Sequence, residues 1–305
     1  MKLGLLTAAF PDTPLDEVAD WAAANGFEML EVACWPRAEG ATRRYAGVSH
    51  IDCANLSDDH AKDLVGDLAG RGVEISGLGY YPNPLHPDLD HRAEVVAHLR
   101  NVITAAERLG VPVVNTFIGN DKTRPVTENF TEFTKVWPDI VAFAADHGVK
   151  IAIENCPMIF SYDEWPGGDN LMHAPATWRD VFGYLDGDTL GLNLDPSHLV
   201  WQMIDYERVV REFGSRIYHV HAKDMEVDRD GLYRNGVLSL GMGWQIPRLP
   251  GLGEVRWDRF LSQLYKVGYD GVVSVEHEDR AFEGSLELVQ RGFLIARDAL
   301  RPYLH

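Results

Sequence analysis

The chain has 305 residues, of which 46% are hydrophobic and 24% charged, enough apolar surface for a large core that folds without disulfide staples. A formal net charge of -18 at pH 7 argues against nucleic acid as a partner, because phosphate-backbone binding depends on clustered Lys and Arg. Cys34, Cys53 and Cys156 are odd in number and contain no CxxC pair. The sequence therefore predicts neither a disulfide framework nor a thiolate zinc site, and reads as a protein of the reducing cytoplasm.

From the N-terminus, MKLGLLTAAF is too short for a signal peptide and runs directly into PDTPLDEVADW, which has the look of a capped helix start. No apolar run approaches the ~18 residues of a membrane span, so a soluble protein with no membrane partner is expected. Strands are predicted at 3–8 (LGLLTA), 28–33 (EMLEVA), 73–79 (VEISGLG), 111–117 (VPVVNTF), 149–155 (VKIAIEN), 189–195 (TLGLNLD), 216–222 (RIYHVHA) and 271–276 (GVVSVE). Each alternates with an amphipathic helical pattern, the signature of βα units on a parallel sheet. Several helices end in a glycine that introduces the next strand, as in ANGFEML, GRGVEIS, RLGVPVV, DHGVKIA and KVGYDGV. The expectation is an α/β protein, a single (β/α)₈ TIM-barrel domain over 1–305, with long loops at 34–56, 156–174 and 223–256. Those loops carry Trp35, Trp165 and Trp244 and follow strands, which puts them at the face where barrels build active sites. Sugar stacking or subunit contacts both suit such aromatics, and a homo-oligomer is expected.

Four strands end in a residue able to hold a metal: Glu154 in IAIEN, Asp195 in LNLDPSH, His221 in HVHAKD and Glu276 in VSVEHED. Barrel strands are buried on both faces, so a carboxylate in such a run needs a partner or a cation. Alternation points His219, His221 and Lys223 the same way at rising levels: His219 below as an interior or supporting residue, His221 at the mouth, Lys223 above it toward a substrate. Three carboxylates and one imidazole favour one divalent ion, Mn²⁺ first, with Mg²⁺ or Co²⁺ as alternatives and Zn²⁺ behind them. An ion with open positions could chelate adjacent sugar oxygens, polarise a carbonyl and stabilise the ene-diolate formed by proton removal. Glu154 and Glu276, on nonadjacent strands, are the candidate catalytic bases.

At these residues the sequence resembles the xylose isomerase-like TIM-barrel superfamily, the sugar phosphate isomerase/epimerase group, and is similar in arrangement to its ketose 3-epimerases. The ordered set of Glu, Asp with His three residues on, His within HxH, then Glu carries the resemblance along nearly the whole chain. It implies that Glu154 and Glu276 both ligate the metal and exchange the proton. It also implies that His198 of DPSH and Arg248 of RLPGLGEVRW contact the substrate, and it marks Glu31 of LEVA as either a mouth residue or a hydrogen-bonded interior one. The segment between His221 and RLPGLGE is longer than in the small epimerases, and the extra histidines of a DNA-repair trinuclear zinc site have no counterparts. The expected activity is a metal-dependent sugar isomerase or epimerase acting on an unphosphorylated sugar, since no phosphate-binding Gly-rich loop is evident. The alternatives are a lyase or hydratase acting on a 3-keto sugar or glycoside by β-elimination, and a hydrolase or a sugar-binding module.

Overall fold

The computed structural model describes residues 1–36, 45–159, 168–237 and 243–304, so Trp165 and parts of all three long loops lie outside the described residues. Among the described residues ten strands form in chain order: β1 (Lys2–Leu6), β2 (Met29–Ala33), β3 (Glu74–Gly79), β4 (Val113–Thr116), β5 (Lys150–Glu154), β6 (Leu190–Leu194), β7 (Ile217–Ala222), β8 (Asp224–Val227), β9 (Gln245–Arg248) and β10 (Val272–Val275). Eight of them close into a barrel in the order β1-β10-β7-β6-β5-β4-β3-β2, every pair parallel. These are the eight predicted strands, with ends that differ by no more than two residues from the predicted bounds.

Helices fill the crossovers, among them α1 (Leu15–Ala24), α2 (Asp58–Arg71), α3 (Leu89–Leu109), α4 (Val126–Asp146), α5 (Pro175–Tyr184), α6 (Ser197–Trp201) and α7 (Tyr206–Phe213). The five glycines predicted to end helices, Gly26, Gly72, Gly110, Gly148 and Gly268, all take φ between 66° and 92°. That left-handed conformation turns the chain from helix into strand at little steric cost only for glycine. Between strands and helices Phe133, Trp137, Trp178, Phe260 and Phe293 are wholly buried, each contributing about 1.5–3 kcal/mol by leaving water. Among the described residues no helix is long and apolar enough to cross a membrane.

The segment 223–256, expected as a long loop, contains its own structure. β8 and β9 pair antiparallel with Asp224 opposite Arg248, and α8 (Arg229–Asn235) follows β8. Met225, Val227 and Trp244 bury against Trp201 of α6 (Ser197–Trp201), where the two indole rings meet edge to face at 6.0 Å. This small second core explains why local pattern read as loop: its apolar partners sit on a different βα unit. Because α6 follows β6, the hairpin lies on the carboxyl-end face of the barrel.

Candidate active site

β5, β6, β7 and β10 are neighbours in the sheet, and their carboxyl ends bring the four predicted metal ligands together. Glu154 ends β5, Asp195 follows β6, His221 lies near the end of β7 and Glu276 follows β10, all buried. His221 Nδ1 is 3.2 Å from Glu276 Oε2 and 3.7 Å from Glu154 Oε1. Two amides hold the strand ends in place. Asn155 Nδ2 donates to Asp195 O at 2.9 Å while Asp195 N donates to Asn155 Oδ1 at 2.8 Å. Asn170 Nδ2 donates to the carbonyls of Glu154 (2.8 Å) and Cys156 (2.6 Å). Asp195 Oδ1 accepts from Ser197 N at 2.8 Å, which leaves Oδ2 to face the mouth.

Below this layer lies a closed polar network. His221 Nε2 is 2.7 Å from Glu31 Oε2, so Nε2 donates to the carboxylate and Nδ1 is the nitrogen left for a ligand. Tyr81 donates its hydroxyl to Glu31 Oε1 and accepts from Asn193 Nδ2 at 3.0 Å. Asn193 Oδ1 is 3.0 Å from His219 Nδ1, and His219 Nε2 is 3.2 Å from Ser76 Oγ. Gly79 makes room for this packing, since a Cβ there would lie 2.9 Å from Glu31 Oε1. Burial works against the Glu31 charge, but His221 and His219 and the bonds from His221 and Tyr81 outweigh it and hold the carboxyl at about 2. Burial, with the His221 charge beside it, lowers His219 to about 4 against the pull of Glu31, so His219 is neutral at pH 7.

His198, in the first turn of α6, has Nε2 3.3 Å from Asp195 Oδ2 and 3.5 Å from Glu154 Oε1. Lys223 stands among the carboxylates rather than above them. Its Nζ is 2.7 Å from Glu276 Oε2, 3.1 Å from both Asp195 Oδ2 and Glu278 Oε2, and 3.8 Å from Glu154 Oε1. A buried ammonium must be compensated, and these are the charges within reach. Burial alone would lower its pKa, yet Glu276, Glu278, Asp195 and Glu154 together raise it well above the usual lysine range. Arg248 is placed differently: its Nε lies 3.0 Å from Asp279 Oδ2 and its guanidinium 3.4 Å from Glu226, so its ion pairs tie β9 to β8 and to the segment after β10.

The donor set fits a divalent cation on two observations. Glu154 Oε1, Asp195 Oδ2 and His221 Nδ1 are buried atoms without a hydrogen bond among the described residues, met by the longer ion-pair contacts to Lys223, His198 and Glu276 given above. Ligand atoms of Glu154, His221 and Glu276 also lie within 4.8 Å of one another. Buried lone pairs are costly unless a proton or cation meets them, so a candidate metal-binding site is present here. A cavity of about 570 Å³ opens among the strand starts, lined by Met29, Val73, Val111 and Val272. It lies at the opposite end from the titratable cluster, and barrel chemistry is built at the carboxyl ends.

Sequence reasoning did not single out Tyr81 as a network residue, nor Asn155, Asn170 and Cys156. Their partners lie on other strands and loops, and a one-dimensional pattern does not contain those pairings.

Eight parallel strands with carboxylates and an imidazole gathered at their carboxyl ends define a (β/α)₈ barrel of the mouth-site class. The chain belongs to the xylose isomerase-like TIM barrel family, whose profile matches residues 19–299. It is 28% identical over 312 aligned residues to the uncharacterized protein YfiH of Bacillus subtilis, covering 92% of this chain and 93% of that protein. The crystal structure of D-psicose 3-epimerase with D-tagatose from Clostridium cellulolyticum H10 superposes with a TM-score of 0.72 at 18% identity, covering 100% of both chains. The IOLI protein with a binding zinc atom gives a TM-score of 0.70 at 19% identity, covering 100% of this chain and 99% of that one.

Proposed function

We propose that this chain is a divalent-metal-dependent isomerase or epimerase of a sugar or sugar derivative, moving a proton on the carbon next to a carbonyl. The observation that carries the reading is the convergence of buried ligand atoms of Glu154, Asp195 and His221 that make no hydrogen bond among the described residues, with Glu276 beside them. Glu154, Asp195, His221 and Glu276 would hold the ion, for which Mn²⁺ suits the oxygen-rich set, and the ion when bound supplies Lewis-acid polarisation of the substrate carbonyl. Glu154 and Glu276 come from β5 and β10, separated in the sheet by β6 and β7. A carbon held between them meets a carboxylate on each face, so one removes a proton and the other returns one to the opposite side. Lys223 places a positive charge beside Glu276 and the oxygen that becomes negative as the proton leaves. His198, with Nε2 3.3 Å from Asp195 Oδ2, would contact a second substrate oxygen directly or through an ion that it holds. The fold shared with a D-psicose 3-epimerase supports a sugar as substrate.

The test is solvent exchange. The full chain is stripped with chelator, resupplied with Mn²⁺ and incubated with free ketoses in heavy water, and deuterium next to the carbonyl is read by mass spectrometry. Metal-dependent incorporation is expected, falling by about 10²–10⁴-fold in Glu154→Gln and Glu276→Gln. Incorporation that ignores the chelator, or that persists in Glu276→Gln, overturns the reading. A β-elimination on a 3-keto glycoside is the second reading, favoured by the hairpin built beside the mouth and by the Lys223 cation next to Glu276. Release of the aglycone without any epimer among the products would select it.

A further inference from the structure

The geometry points to a second metal site at the barrel mouth, formed by Glu154, Cys156 and His198 and suited to Zn²⁺ or Co²⁺. It goes beyond the reaction proposed above and shares Glu154 with the first site. One ligand atom from each of the three residues lies within 4.8 Å of the other two. His198 is nine-tenths buried, yet both of its ring nitrogens lack a hydrogen bond among the described residues. An enclosed imidazole that meets carboxylate oxygens at 3.3 and 3.5 Å without a hydrogen bond to either is an exception that calls for a ligand. His198 Nε2 faces Glu154 Oε1 at 3.5 Å.

The thiol is prepared for the same role. Met158 N donates to Cys156 Sγ at 3.3 Å, and Met158 takes φ 57°, a left-handed conformation that turns its N–H back over the sulfur. That hydrogen bond fixes the sulfur beside Glu154 and His198. The Asn170 amide pins the carbonyls of both Glu154 and Cys156, so carboxylate and thiol are presented by one rigid segment.

Thiolate, imidazole and carboxylate make a softer set than the carboxylate-rich first site. Three protein ligands with a position left open is the pattern of zinc sites that take water or substrate. Two ions sharing a carboxylate stand about 3.5–4 Å apart, close enough to hold two oxygens of one ligand.

Cobalt titration of the chelator-stripped full chain tests this, with thiolate-to-cobalt charge-transfer absorption and metal content measured together. The wild-type chain is expected to take up two ions with thiolate absorption. Cys156→Ser is expected to lose one ion and the absorption while keeping the other. Cys156→Ala is carried in parallel, with thermal unfolding to show that both variants fold. A wild-type chain that binds one ion without thiolate absorption overturns the second site and leaves the first standing. One ion with thiolate absorption overturns the two-site arrangement, and absorption that survives both substitutions assigns the sulfur elsewhere and overturns it equally. Binding of no ion at all removes this site together with the metal centre of the proposed function.

Discussion

His219 is enclosed on all sides, bonded to Asn193 and Ser76 and kept neutral, because burial and the neighbouring His221 hold its pKa at about 4 against an ordinary 6.5. Between those two values an unfolded chain takes up a proton that the folded one refuses. The stability this residue contributes is therefore complete above pH 6.5 and is lost as pH falls through about 4. The shift corresponds to on the order of 3 kcal/mol. Urea midpoints of the metal-free chain measured from pH 7 to pH 4 are expected to fall, and to fall less steeply in His219→Asn. Equal slopes in the two proteins would show that His219 does not set this dependence. The residue's level in the barrel was legible in the sequence, since alternation along HVHAKD puts it directly beneath His221. Its partners were not, because Ser76 and Asn193 approach from β3 and β6. Glu31 shows the same limit. The sequence offered a mouth position or an interior one, and only the fold shows a wholly buried carboxylate fixing which His221 nitrogen faces the mouth.

At the scale of elements, strand and helix order was legible throughout because each βα unit repeats one local pattern: apolar run, amphipathic stretch, glycine. The hairpin of β8 and β9 was not, and Asp224 shows why. One carboxylate there joins the amide next to it in sequence to three donors that lie 27 to 33 residues further along. Oδ1 accepts from Met225 N at 2.8 Å and Val255 N at 2.9 Å, and Oδ2 accepts from Gly251 N at 3.0 Å and Trp257 Nε1 at 2.9 Å. The PGLGE turn wraps this carboxylate so tightly that a Cβ on Gly253 would fall 2.3 Å from Asp224 Oδ1. Asp224 thus closes the hairpin onto the start of α9 (Trp257–Lys266). Removing a buried acceptor strands its donors at about 1–3 kcal/mol each where water does not replace it. Asp224→Ala is expected to lose about 3 kcal/mol or more by urea denaturation, with faster amide exchange over 224–256. Asp224→Asn keeps one acceptor oxygen and is expected to lose less. A fall in stability without faster exchange in that segment would place the effect outside the hairpin.

For the whole molecule, the formal charge of -18 and the gathering of Glu154, Asp195, Glu276 and Glu278 at one mouth act in the same direction: the folded chain concentrates negative charge where the unfolded chain disperses it. Lys223 offsets part of that charge from within, which lets the barrel close before any cation arrives. A cation that binds the assembled mouth and not the separated strands adds stability by mass action, about 2.7 kcal/mol at a hundredfold excess over its dissociation constant. In a chain of this size that corresponds to a rise in Tm of roughly 4 °C. Scanning calorimetry of the chelator-stripped chain with and without excess Mn²⁺ is expected to show this rise, and Glu276→Gln is expected to diminish it. The four ligands come from β5, β6, β7 and β10, half the staves of the barrel. An ion joining them therefore reports on closure of the whole sheet, and the transition should move as one cooperative step. A Tm indifferent to Mn²⁺ in the wild-type chain would mean that the mouth carboxylates are satisfied by Lys223 and their hydrogen bonds alone, with no resident ion.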